Sequence, residues 1–176
     1  MYPRWIYYPV STAPGSWCEG IAAAFSAKRD ELDTTAKHNK SDDVLQTIRP
    51  GLEKLGFRVE GGIDEPTIHR PVLFGEGGKP QQKYQIDAYH PRDGIGLEVE
   101  AGRSLRGNAV YRDLIQASLM VDVQYFALCV PLRYRFNANG KQYEDKPYEA
   151  TNSIVGALYA SGRLVFPFRG LLLLGF

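Results

Sequence analysis

The feature that most constrains this chain is a pair of short segments, KYQIDAYH (83–90) and GIGLEVEA (94–101), separated by Pro91, Arg92 and Asp93. Ile95, Leu97, Val99 and Ala101 recur at every second position, the period of a strand with one apolar face. Pro91 suits the second position of a turn that starts at His90, and Gly94 follows as a flexible exit, so the pattern predicts a hairpin. Strand side chains alternate, so Gln85, Asp87 and Tyr89 share one face. Glu98 and Glu100 likewise share a face, about 7 Å apart along the strand. A pairing of His90 with Ile95 sets Asp87 directly opposite Glu98, on the same side of the sheet. Like charges opposed across strands are destabilising. Two ionised carboxylates about 5 Å apart repel by about 3 kcal/mol at an effective dielectric of ~20. Water, a basic partner or a divalent cation would each relieve that repulsion. An all-oxygen donor set of this kind suits Mg²⁺, which keeps several waters and takes one or two carboxylates. A solvated strand face balanced by Lys or Arg has the same pattern.

Other elements surround this hairpin. GSWCEGIAAAFSAKRDEL (15–32) is alanine-rich with a serine start signal and predicts a helix. Val44, Leu45, Ile48, Leu52 and Leu55 have helical spacing, with a kink or break expected at Pro50–Gly51. Gly56 then closes that helix ahead of a strand over 57–60. Residues 61–82, rich in Gly and Pro, predict a long loop with a short strand at 72–74. A helix is expected over 104–123, its apolar stripe being Val110, Leu114, Ala117 and Val121. A strand over 125–136, an exposed loop over 137–147, a helix over 148–162 and short strands at 163–168 and 171–176 complete the chain. The order implies an α/β arrangement around a mixed sheet.

With 176 residues and 44% hydrophobic content, the chain can form one domain with a core of its own. A net charge of +1 means that any contact with nucleic acid must rely on local positive charge. Cys18 and Cys129 are too far apart to form a metal knuckle and read as reduced, buried thiols. The opening MYPRWIYYPV lacks a secretory signature and suggests an ordered arm, and LLLL is too short to span a bilayer. A soluble, cytoplasmic protein without membrane contact is expected. His38, His69 and His90 have no ligand-like spacing, and GEGGKP (75–80) lacks the spacing and ending of a P-loop.

The order helix, strands, helix, strand, with QID (85–87) on one strand and LEVE (97–100) on the next, resembles the PD-(D/E)XK nuclease superfamily. The resemblance spans about residues 41–131. It implies a restriction-endonuclease-like fold, a mixed central sheet flanked by helices. It also divides the single domain 1–176 into a helical arm (1–40), a nuclease-like core (41–131) and a carboxyl-terminal helix with strands (132–176). Asp87 would be the first acid and Glu98 the second metal ligand, with the Val99 carbonyl beside them. Gln116 resembles a glutamine that some branches place near the active site. Ile86 stands where proline is frequent, and Glu100 occupies the position usually held by lysine. A minority of restriction enzymes carry glutamate there. The implied activity is Mg²⁺- or Mn²⁺-dependent phosphodiester hydrolysis by an endonuclease, with DNA the expected substrate. Cutting both strands of a duplex favours a homodimer. Asp87, Glu98, Glu100 and Gln116 are therefore the expected catalytic group.

Arg103, Arg106, Asn108 and Arg112 lie at and beyond the start of the next helix, where they would meet phosphates beside the metal. A solvated helix face, with Arg112 paired to a carboxylate, is the competing explanation. Tyr134 and Phe136 are further aromatic candidates for stacking on bases. Two other functional classes remain open. One is a catalytically inactive member of the same fold that binds nucleic acid or protein. The other is a structural protein whose acidic strand faces water.

Overall fold

A computed structural model of the chain describes residues 2–32, 39–61, 66–101 and 108–176. Along them run β1 (Arg4–Tyr8), α1 (Ser16–Ser26), α2 (Arg29–Leu32), α3 (Ser41–Lys54), β2 (Arg58–Val59), β3 (His69–Phe74), β4 (Pro80–Gln85) and β5 (Ala88–His90). There follow β6 (Ile95–Val99), α4 (Ala109–Leu119), β7 (Tyr125–Val130), β8 (Tyr134–Ala138), β9 (Lys141–Asp145), α5 (Pro147–Ser161) and β10 (Gly170–Gly175). Six strands make one mixed sheet in the order β1-β10-β7-β6-β5-β2. Its centre, β10, β7 and β6, is parallel, while β1 at one edge and β5 with β2 at the other are antiparallel. Central parallel strands are covered on both faces and so read as near-continuous apolar runs. FALCV and LLLL are such runs, and both are buried.

Alternation divides the core into two layers. Ile21 and Phe25 of α1, with Leu45, Ile48 and Leu52 of α3, share one core with Leu97, Val99, Ala127, Leu172 and Leu174. Val110 and Leu114 of α4, with Val155 of α5, share the other with Phe126, Leu128, Leu171 and Leu173. The result is a mixed α/β fold with helices on both faces of the sheet. No helix among the described residues is long and apolar enough to cross a membrane.

Several elements differ from the sequence reading, each for a physical reason. The helix expected over 15–32 divides into α1 and α2. Pro50 does not interrupt α3. It lies on the exposed side, where water can serve the carbonyl that its missing N–H leaves unpaired. Gly51 sets the approach of α1 to α3, because a Cβ there would stand 2.7 Å from that of Ala24. The expected arm supplies the edge strand β1, paired with β10. The stretch taken as a long loop contains β3 and the start of β4, which form a hairpin of their own. The strand expected over 83–90 is therefore two, one in that hairpin and one in the central sheet. Residues 137–147 are not a loop either. Asn139 and Gly140 take φ of 51° and 72° and make a two-residue turn between β8 and β9. No strand forms over 163–168, where Phe166 and Phe168 are apolar because they stack on each other at 5.8 Å and Phe168 stacks on Phe126 at 5.4 Å. Val121 is 52% exposed, since α4 ends before it.

Candidate active site

Within the hairpin the register is the expected one: His90 pairs with Ile95, Tyr89 with Gly96 and Ala88 with Leu97. One further step brings Asp87 level with Glu98. Asp87 lies between β4 and β5, where the chain passes from the outer hairpin into the central sheet. Its backbone carbonyl accepts the Glu60 N–H at 2.8 Å, and its Oδ2 accepts the Val99 N–H at 2.8 Å. Leu97 and Val99 pack in the layer of α1 and α3. Alternation therefore turns Glu98 and Glu100 toward α4. Asp113 meets them there, buried on the inner side of that helix.

Four carboxyl groups thus come together, Asp87 facing Glu98 and Glu100 facing Asp113. Two carboxylates attract each other only through a shared proton or a cation. Burial, reinforced by the Glu60 and Asp113 charges, pushes Asp87 up to about 6. Burial and the facing Asp87 push Glu98 well above the usual carboxylate range. Burial and Asp113 raise Glu100 to about 7, with Arg112 opposing them. Burial also raises Asp113, again against the pull of Arg112. Arg112 spans the second pair. Its Nη2 donates to Glu100 Oε1 at 2.7 Å and its Nε to Asp113 Oδ1 at 2.9 Å. Asp113 Oδ2 is buried, and among the described residues it has no donor.

Backbone anchors fix this corner. The Glu100 N–H donates to the Cys129 carbonyl at 2.9 Å, and the Ala101 N–H to Ser41 Oγ at 3.0 Å. The end of β6 is thereby tied both to β7 and to the first residue of α3. Glu60 is held in turn, its two carboxylate oxygens accepting from Gln85 Nε2 at 2.8 and 2.9 Å.

Asp87, Glu98 and Glu100 accordingly occupy one corner, and Val99 contributes its N–H to it. Gln116 stands one turn beyond Asp113 on α4, half-buried, and among the described residues it makes no hydrogen bond to the carboxyls. Asn108 precedes α4 in a left-handed conformation, φ 60°, exposed and with no capping bond from its side chain. Arg112 is engaged by Glu100 and Asp113, and Arg103 and Arg106 lie outside the described residues. Asp113 is the member that the sequence reading overlooked. Its signal was a charge on the apolar stripe of α4, at the third position from Val110 and next to Leu114.

Among the described residues no three His, Cys, Asp or Glu side chains are arranged to hold a metal ion. The chemistry of the donors suits a hard divalent cation, all oxygen, with Asp113 Oδ2 lacking a donor among the described residues. A cavity of about 970 Å³ opens at the other end of the sheet, among Trp17, Arg92, Tyr125 and Arg169, and holds none of these groups. Comparison with known proteins adds no assignment: no family model matches the chain, and no curated protein matches it.

Proposed function

We propose that this chain is a metal-dependent nuclease of the PD-(D/E)XK type, hydrolysing phosphodiester bonds of nucleic acid on a restriction-endonuclease-like sheet. One observation carries the reading: among the described residues, four carboxyls share a corner with one arginine, Arg112, and their crowding calls for protons or a cation. Support comes also from the order α3, β2, β5, β6, α4, β7, with the separate β3–β4 hairpin inserted after β2, which follows the order the resemblance implies. Asp87 and Glu98, with the Val99 carbonyl, would hold Mg²⁺ or Mn²⁺, which when bound polarises the scissile phosphate and acidifies water. Glu100 takes the proton of the attacking water, its elevated pKa of about 7 matching that task near neutral pH. Arg112 orients Glu100, and Asp113 holds the arginine from the helix side. DNA as substrate belongs to the same proposal, and a homodimer is required only where both strands of a duplex are cut.

A second reading, an inactive member of the fold that binds nucleic acid or protein, is favoured by the state of Glu100. It stands where lysine is usual, and Arg112 and Asp113 occupy it from two sides. Cleavage decides between the two. Single- and double-stranded DNA and RNA should be incubated with Mg²⁺, Mn²⁺ or EDTA, using wild type, Glu98→Gln and Glu100→Gln. We expect metal-dependent cleavage of at least one substrate by the wild type. Loss of the general base should slow it by roughly 10²- to 10⁴-fold in Glu100→Gln. Absence of cleavage by the wild type in every combination would leave the inactive reading.

A further inference from the structure

The hairpin of β8 and β9 stands apart from the central sheet as a two-stranded sheet of its own. Its register pairs Phe136 with Tyr143, Tyr134 with Asp145 and Ala138 with Lys141. Tyr134, Phe136, Tyr143, Lys141 and Asp145 therefore share one face, with Asp145 at the base of the hairpin and Lys141 beside the turn. The rings are tiled along it: Tyr134 and Phe136 lie 6.0 Å apart at 22°, and Phe136 and Tyr143 5.5 Å apart at 17°. Arg135 lies on the opposite face, paired with Glu144 at 2.8 Å. Residues 133–146 carry four basic side chains, Arg133, Arg135, Lys141 and Lys146, against two acidic ones, Glu144 and Asp145. A lone hairpin is marginally stable, and cross-strand aromatic pairs strengthen it, so the inner rings have a structural use. That use does not require the outermost ring to be open to solvent, yet Tyr143 is 44% exposed and stands beside the exposed Lys141.

Position adds a second reason. The Glu100 N–H bonds to Cys129, so β7 leaves the sheet beside the carboxyl corner, and β8 starts four residues after its last residue, Val130. The base of the hairpin is pinned, because the Leu132 N–H donates to the Phe176 carbonyl at 2.6 Å and the Tyr148 N–H to that of Pro131 at 3.1 Å. We infer that this face binds a single-stranded stretch of nucleic acid, with an unpaired base on the open face of Tyr143 and the backbone phosphates near Lys141. The inference rests on the nuclease reading and makes unpaired strands its substrate class. Every base has a π-face, so recognition by ring stacking tolerates sequence.

Binding is measured by fluorescence anisotropy in EDTA, where no hydrolysis occurs, with labelled oligo-dT, oligo-rU and a DNA duplex of equal length. Wild type should bind a single strand more tightly than the duplex, and the two single strands show whether DNA or RNA is preferred. Tyr143→Thr keeps a strand-forming residue and removes the ring, and should weaken single-strand binding roughly 5- to 150-fold. Tyr143→Phe should retain the affinity. Lys141→Ala should reduce the salt slope by about one. Wild-type affinity in Tyr143→Thr, or tighter binding of the duplex than of either single strand by the wild type, overturns the inference. Glu98→Gln, assayed in parallel for cleavage and binding, separates the two proposals. Loss of cleavage with intact binding places hydrolysis in the carboxyl corner, and a Tyr143 effect in a protein that cleaves nothing upholds the hairpin surface alone.

Discussion

At the scale of single residues, the corner around Glu98 is a problem of charge: among the described residues, four carboxyls meet one guanidinium within a half-buried site. Ionising all of them leaves an excess of negative charge that water does not fully screen. A carboxyl whose folded-state pKa lies above its unfolded value keeps its proton in the native state. The stability it contributes is complete below the ordinary carboxylate range and is lost as pH rises through the folded value. With Asp87 at about 6 and Glu100 at about 7, the metal-free protein should melt progressively lower between pH 5 and pH 8. Arg112→Ala removes the cation that opposes the Glu100 and Asp113 shifts and should steepen the fall. Its cost should be smaller at pH 5, where Glu100 holds its proton, and about 1–3 kcal/mol at pH 8, where charged hydrogen bonds are lost. Thermal melts of both proteins in EDTA across this range measure it. A cost that does not change with pH would mean that Arg112 acts through packing alone. Asp87, Glu98 and Glu100 were legible in the sequence because strand alternation and a short turn fix which side chains meet. Asp113 was not, since an acid followed by apolar residues on a helix also describes a solvated face until the sheet beneath it is known.

The elements show where local pattern suffices and where tertiary contacts override it. The β5–β6 register follows from the turn that starts at His90, and it survives although the first strand is broken at Ile86–Asp87. That break was invisible because KYQIDAYH alternates as one strand would, while its two halves belong to different sheets. The β8–β9 hairpin had a local signal, the dipeptide Asn139–Gly140, which takes positive φ at both positions. The many polar residues around it masked that signal. Helix α3 crosses a proline that local rules would treat as a stop, because Val44, Leu45, Ile48 and Leu52 bury its inner face. Gly51 next to that proline is explained by the neighbouring helix. Gly51→Ala gains about 1 kcal/mol of helix propensity but inserts a methyl group against Ala24, which costs about 1–3 kcal/mol when packing cannot yield. Net destabilisation in urea unfolding is the expected outcome, and a more stable variant would show that α1 and α3 can move apart.

For the whole molecule, the sheet explains why the site lies where it does. Parallel strands β6 and β7 end side by side, and β5 delivers Asp87 to the same corner. α3 touches it through Ser41, and α4 closes it with Asp113. The α/β class with helices on both faces was legible from the order of helical and strand periods. The pairing of the first strand with the last was not, because nothing local in RWIYY names its partner. The account turns on whether this corner exchanges protons for a divalent cation. Isothermal titration of Mn²⁺ and Mg²⁺ into the protein at pH 7, in two buffers of different ionisation enthalpy, measures both binding and the protons released. Wild type should bind with release of about one proton, because ligands must be deprotonated before they coordinate. Glu98→Gln should lose both the binding and the release. Absence of binding to the wild type, or binding that Glu98→Gln leaves unchanged, would contradict the account.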